Sequence, residues 1–498
     1  MNDRTTTTVG EHPHIAVIGG GLAGMAAAVA AVERGMKVEL FEQAKTLGGR
    51  AASFVDSETG QLIDYGQHVA MGCCISLLDF CRRTGLEDCF ERHRRLHFIA
   101  TDGSRCDFAP SAWLPAPWHL LPGLMRLKFL SISERWGIVR ALRKLVRQPI
   151  SPLPLGEGPG VRAAGHAQDR SSPHCPHPSP LPEGEGTIAA WLRRNGQSQR
   201  AIERFWSVVL VSALSETVDH ASLAAARKVF CDGFLASRTA SDLLVPRFPL
   251  GEIFHTRLGN WLGQHGVAVH LGTRIRLIED GNSLTRSVRS TILADGTRRQ
   301  FDFVIVAVPW RSVRALLAEE LQAAMPALQG LEDIQPAAIT AVHLWFDRPI
   351  TRLPHAVLVG RLGQWVFTKG HCGAGVPPAQ PAAGETPAPQ HYCQVVISAS
   401  HRLADRTADE WLAAVCRELR EIWPAAREAR LLHHRVVTQP SAAFSVQPGI
   451  ERLRPPQQTP LENLFLAGDW TSTGWPATME GAVRSGGLAV DSLLRLLG

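Results

Sequence analysis

Three glycines constrain this chain more than any other feature. Gly19-x-Gly21-x-x-Gly24 lies between a short apolar run, His14 to Ile18, and an Ala-rich stretch, Met25 to Arg34, that reads as a helix stopped by Gly35. Lys37 to Phe41 is a second apolar run, ending at Glu42, eighteen positions after Gly24. Together these predict a β-α-β unit. In such a unit the first glycine permits the tight turn, the second lets main chain approach a pyrophosphate, and the third lets the helix pack on the strand. Gly20, Leu22 and Ala23 complete the turn and the helix start, where free N–H groups and a partial positive charge face the phosphates. Glu42 can accept hydrogens from both ribose hydroxyls, with Gln43 beside it, and an acid there argues against a 2′-phosphate. A bound dinucleotide is expected; FAD and NAD both remain open on these residues.

A chain of 498 residues is too long for one core and implies two or three domains. Its net charge of +6 is mild for that length, and no nucleic-acid-binding motif accompanies it, so no nucleic-acid partner is expected. None of the ten cysteines forms a CxxC pair, and no Cys/His set has zinc spacing, so no metal is expected. The adjacent Cys73 and Cys74 do not suit a disulfide framework, which points to reduced thiols and a cytoplasmic location. Residues 1–13 are polar and Thr-rich, unlike a signal peptide, and are expected to be disordered. No stretch of about 18 apolar residues predicts a membrane-crossing helix, so any membrane contact would be peripheral, on the inner face.

Two stretches, 151–186 and 373–390, are rich in Pro, Gly and Ala and lack any period able to build a core. They read as insertions. Between Trp113 and Arg147, tryptophans and leucines alternate with seven Lys and Arg residues, which suits amphipathic helices. Two readings stand for them: a domain-packing pair with a solvated basic face, or a membrane-surface contact. Single segments are expected for a helix from Thr187 to Leu214, a strand from Val267 to Ile278, and a closing helix from Met479 to Leu497.

Four further motifs carry a resemblance. Gly48-Gly49-Arg50 resembles the second glycine motif of FAD-binding amine oxidases and isoprenoid desaturases, and Asp64-Tyr65-Gly66-Gln67-His68 is similar to a flavin-contact loop of that superfamily. Leu466-Ala467-Gly468-Asp469-Trp470 with Pro476-Ala477-Thr478-Met479-Glu480-Gly481-Ala482 resembles its closing FAD motif. Leu271 to Ile275 resembles the segment whose main chain meets the adenine. The resemblance implies FAD as cofactor. Gly48, Gly49 and Arg50 would meet the diphosphate, and Gly66, Gln67 and His68 the flavin. Ile275 would lie at the adenine, Gly468 and Asp469 at the ribityl chain or a phosphate-side oxygen, and Met479 at the flavin N1/O2 edge. Small residues at Gly481, Ala482, Gly486 and Gly487 would let the closing helix lie close to the cofactor. The implied fold is α/β. It has a discontinuous, Rossmann-like FAD domain of the glutathione-reductase-2/amine-oxidase type (14–75, 240–310, 455–498) and a mixed α+β substrate domain (76–239, 311–454).

Within that superfamily the chain resembles the hydroxysqualene dehydroxylases, squalene-associated flavoproteins of bacterial hopanoid synthesis. The residues are Asp64 to Val69, Leu114 to Pro122, Val245 to Leu250, Gln364 to Phe367 and the closing motif; Tyr65 departs from the usual Asn. The implied reaction removes the allylic hydroxyl of hydroxysqualene reductively, giving squalene. It needs an apolar tunnel that keeps water from the allylic cation and an acid for the leaving hydroxyl, for which His68 is the candidate. An isoprenoid desaturase running in the oxidising direction is the alternative. An amine oxidase is less favoured, because Thr478 stands where an aromatic residue commonly frames the amine. A non-catalytic isoprenoid carrier also stays open. The electron donor is undetermined, since no second Gly-x-Gly-x-x-Gly occurs in a β-α-β context.

Overall fold

The computed structural model describes residues 12–147, 186–280, 287–369, 391–403 and 405–497. Most of the N-terminal tail and both low-complexity insertions, apart from residues 12, 13 and 186, lie outside the described residues.

The expected β-α-β unit forms from β1 (His14–Ile18), α1 (Leu22–Val32) and β2 (Lys37–Glu42). Six of the eleven residues of α1 are alanine, which favours helix and keeps it slim. Every α1 residue but Val32 is buried, so this helix has no solvated face. Gly35 then turns the chain at φ +78. Downstream come α2 (Ile75–Arg83), α3 (Ile132–Arg147), β3 (Ala268–Leu271), β4 (Phe303–Val306), β5 (Leu464–Leu466) and α4 (Met479–Leu497). The five strands make one parallel sheet in the order β3-β2-β1-β4-β5. Val17 sits opposite Leu40 on one side and Ile305 on the other. Strand order reverses between β1 and β4, and the crevice beyond the strand ends at such a point is where open α/β sheets hold ligands.

A second sheet has seven strands, in the order Leu431–Phe444, Pro336–Phe346, His391–Ile397, Trp365–Lys369, His355–Leu358, Leu96–Ile99 and Arg105–Phe108. One pairing, Leu96–Ile99 with His355–Leu358, is parallel and the rest are antiparallel. The helix Ala408–Ile422 covers part of this sheet through Trp411, Val415 and Leu419, and Thr407 with Glu410 closes a capping box at its start. The fold is thus mixed α/β, a parallel sheet beside a large mixed sheet with helices.

Two of the expected single segments are broken, each for a local reason, while the closing helix forms whole. The helix expected over Thr187 to Leu214 stops at Arg194 and restarts at Gln199. Gly196 takes φ +69 there, and the Ser198 hydroxyl accepts from the Ala201 N–H to cap the new start. The strand expected over Val267 to Ile278 is cut by Gly272 at φ +65. Its first half is β3; its second, Ile275–Asp280, pairs with Val288–Leu293 in a separate sheet. Of the amphipathic stretch from Trp113, only α3 is a long helix; the part before it, interrupted by Pro115, Pro117 and Pro122, holds a short turn of helix at Leu121–Met125.

Candidate functional site

The three glycines of the turn are required for different reasons. A Cβ at Gly19 (φ +111) would lie 2.6 Å from the Ala307 carbonyl oxygen, and one at Gly24 would lie 1.9 Å from that of Gly19. These two let β1, β4 and α1 meet backbone to backbone. Gly21 differs. It is the N-cap of α1 with φ −76, open to any residue, and no protein atom lies within 4 Å of where its Cβ would stand. Nothing in the protein demands glycine there, yet the position faces a cavity. That is the signature of a surface kept bare for a ligand.

A second glycine loop closes on the first. Gly48 (φ +114) donates its N–H to the Gly20 carbonyl at 2.9 Å, and a Cβ on Gly49 (φ +58) would come 3.2 Å from Gly21 Cα. Glu42, at the end of β2, accepts the Gly20 N–H at 2.6 Å and the Ala44 N–H at 2.8 Å. An ionised carboxylate has about four acceptor positions, so two remain for ribose hydroxyls.

The far end of the chain enters the same place. Arg50 Nη2 donates to Asp469 Oδ1 at 2.5 Å, joining the second glycine loop to the turn after β5. Asp469 is buried beside Gly468, whose φ is +150 and whose N–H donates to Ser485 Oγ at 2.8 Å. Met479 begins α4. The Thr478 hydroxyl accepts the Gly481 N–H at 3.1 Å and so fixes that start. The buried Glu480 carboxylate accepts N–H groups of Ser76 and Leu77 at 3.1 and 2.8 Å, anchoring α4 on the first turn of α2. Burial raises the pKa of Glu480, and those N–H bonds oppose the rise. One expectation is corrected here. Of the four small residues expected to let α4 approach the cofactor, Ala482 lines the cavity, Gly481 and Gly487 do not, and Gly486 instead meets α1, where a Cβ would lie 2.4 Å from the Ala23 carbonyl oxygen.

The cavity these elements enclose measures about 940 Å³. Gly19, Gly21, Leu22, Ala23, Glu42, Gln43, Gly48, Gly49, Arg50, Gly66, Gln67, His68, Ile275, Gly468, Asp469 and Met479 all line it, while Gly20 and Gly24 lie behind the wall. The Oε1 atom of Gln67 is buried there with no protein partner. Bare main chain at Gly21, spare acceptor capacity on Glu42 and this orphaned amide fit a dinucleotide. Part of the wall of the same cavity is apolar, made by Phe98, Leu124, Phe205, Val208, Phe230 and Trp365; this part is the apolar limb. Burial pushes the His68 imidazole below its ordinary pKa, partly opposed by the Gly66 carbonyl, to which Nδ1–H donates at 2.9 Å. The neutral ring offers a lone pair at Nε2 rather than a proton, which weighs against the acid role.

Residues 22–494 match the family described as flavin containing amine oxidoreductase. The chain belongs to that family. It is an oxidoreductase whose cofactor is FAD. It is 25% identical to the hydroxysqualene dehydroxylase of Rhodopseudomonas palustris, over 96% of this chain and 97% of that one. It is 23% identical to the zeta-carotene desaturase of Synechocystis, again over 96% and 97%. Its fold is like that of cyclohexylamine oxidase from Brevibacterium oxydans, with a TM-score of 0.66 at 18% identity over 98% and 99% of the two chains.

Several residues that line the cavity carry no sequence signal. Phe98, Phe205 and Phe230 come from three separate segments and look like ordinary core positions. Glu480 stands inside the closing motif, but nothing in that motif shows that it anchors α4 on α2. Among the described residues, no cluster of His, Cys, Asp or Glu is arranged to hold a metal ion.

Proposed function

We propose that this flavoenzyme reductively removes the allylic hydroxyl of a long isoprenoid alcohol, with hydroxysqualene as substrate and squalene as product. One observation carries the reading: the bare glycine turns and an extended apolar limb are parts of one cavity. The similarity to a hydroxysqualene dehydroxylase across nearly the whole chain supports it. FAD would lie with its diphosphate at Gly19 to Gly24 and Gly48 to Arg50, its ribose on Glu42 and its adenine at Ile275. The ribityl chain would meet Asp469, and the flavin ring would meet Gln67 and Met479. When bound, reduced flavin would supply a hydride equivalent and a proton, so that the hydroxyl leaves as water and the flavin is left oxidised.

The chain's own residues do the rest. The phenylalanines and Trp365 bind the hydrocarbon, each buried CH₂ contributing about 0.8 kcal/mol. The same side chains keep water from the allylic cation. His68, held neutral, presents Nε2 as an acceptor that can fix the substrate hydroxyl. Likeness to a zeta-carotene desaturase favours a second reading, desaturation of an acyclic polyene by the oxidised enzyme.

The test is anaerobic incubation of the reduced holoprotein with hydroxysqualene. The expected result is squalene by mass spectrometry together with flavin reoxidation. Full FAD occupancy with neither outcome refutes the proposal, and polyene desaturation by the oxidised enzyme establishes the second reading.

A further inference from the structure

Eleven large hydrophobic side chains are exposed among the described residues, and five of them lie between residues 113 and 146: Trp113 (93% exposed), Trp118, Ile132, Trp136 and Val146. All three exposed tryptophans are in this group. Trp118 and Val146 are at once exposed and part of the cavity wall, as are Arg143 and Arg147. The cavity therefore reaches the surface among these four residues.

Charge marks the same segment. From Trp113 to Arg147 there are seven Lys and Arg residues and one acid, Glu134, so 7 − 1 gives +6, equal to the net charge of the whole chain. Arg135 is committed inside, donating to the carbonyls of Met125, Leu127 and Leu130, and the other six are exposed. Along α3 the exposed residues Trp136, Arg140, Arg143, Lys144 and Arg147 form one stripe, while Gly137, Ile138, Ala141 and Leu145 face the core. Tryptophan favours the bilayer interface, and Lys and Arg favour anionic headgroups. No helix of the described residues is long and apolar enough to cross a membrane.

We propose that this face docks on an anionic lipid bilayer, so that the cavity mouth at Trp118 and Val146 opens into the membrane and an apolar substrate passes in without crossing water. The delivery role rests on the isoprenoid reading above; the docking does not. Scattered apolar residues on a protein surface are ordinary, but an apolar cluster at a cavity mouth, rimmed by one sign of charge, is not.

The experiment is flotation of the full-length holoprotein with vesicles of phosphatidylcholine alone or mixed with phosphatidylglycerol. Wild type should float with the anionic vesicles and be released by salt. Trp113→Ser with Trp136→Ser should lower the bound fraction, and Arg140→Glu with Lys144→Glu should lower it by at least about tenfold. Neither pair lines the cavity, so flavin content should stay at the wild-type level. No binding by wild type, or wild-type binding by either double variant, overturns the proposal. Because vesicle binding needs no turnover, its failure is distinguishable from failure of the proposed reaction.

Discussion

Gly21→Val and Gly24→Ala should fail in opposite ways, although both alter the same turn. At Gly24 the added Cβ would stand 1.9 Å from the Gly19 carbonyl oxygen and 3.3 Å from the Ala307 Cβ, so α1 would have to move off the sheet. Overpacking of this kind costs about 1–3 kcal/mol, and a contact with main chain, which cannot swing aside, belongs at the upper end. At Gly21 the backbone already has an unstrained φ of −76 and the Cβ meets no protein atom. The apoprotein should therefore unfold within about 1 kcal/mol of wild type. What the valine loses is ligand. Screening two charge-assisted hydrogen bonds from main-chain N–H to phosphate, at about 1.5–3 kcal/mol each, removes about 3–6 kcal/mol. That corresponds to a rise in FAD Kd of roughly 100-fold to 10⁴-fold. The assay pairs flavin absorbance per mole of purified protein with denaturant unfolding of the apoprotein. Gly21→Val should be colourless and stable, and Gly24→Ala should be destabilised as apoprotein. If Gly21→Val keeps full flavin, or its apoprotein is destabilised as much as that of Gly24→Ala, the assignment of Gly21 to the ligand is wrong.

Arg50→Ala should lower both apoprotein stability and flavin affinity, because it leaves the buried Asp469 carboxylate without its cation; a double-mutant cycle with Asp469→Asn should return a coupling of about 1–3 kcal/mol, and additivity within about 0.5 kcal/mol would contradict a direct pair. Burial would push the Glu216 carboxyl up, but hydrogen bonds from Arg402, Ser445 and the Thr217 N–H hold it down at about 2. Because the folded value lies below the ordinary 4.5, its stabilisation is complete above about pH 4.5 and is lost as pH falls from there towards 2. Arg402→Met should cost about 3 kcal/mol at neutral pH in denaturant unfolding, and no loss would contradict a paired buried charge. Ala213→Phe, on the wall of the apolar limb, should raise KM for a long isoprenoid about 10-fold or more while flavin content stays unchanged; an unchanged KM would place the substrate elsewhere.

These perturbations separate what the chain announces from what it hides. The glycine turn was legible because each constraint is local: a φ of +111 at Gly19 and a carbonyl 1.9 Å from a Cβ at Gly24 exclude every other residue at a fixed spacing. The breaks at Gly196 and Gly272 were equally local, but a pattern read over twenty residues averages out one glycine that takes positive φ. The resemblance implied an apolar tunnel and included Trp365 among its motif residues, but the other residues of the apolar wall were not legible. Phe205 and Phe230 in a cavity wall bear the same chemistry as Trp206 in solid core, and only the fold decides which of them borders empty space. Nor could spacing reveal that Arg50 pairs with Asp469, 419 positions away.

What connects the two chain ends is itself a packing constraint. A Cβ at Gly486 would stand 2.4 Å from the Ala23 carbonyl oxygen and 2.6 Å from the Ala27 nitrogen, so α4 can meet the slim, Ala-rich α1 at main-chain distance only because both helices are small there. That contact fixes α4 against the helix that begins at the bare Gly21, and Glu480, one residue into α4, fixes it against α2. Met479, which lines the same cavity as the glycine turns, is thereby held by two anchors within the protein. The glycine at 486 reads as a weakness when the helix is judged alone, at about 1 kcal/mol relative to alanine. It becomes a requirement once α1 lies across it, and a larger residue there should shift Met479 and with it the reduction potential of the bound flavin, leaving the glycine turns in place.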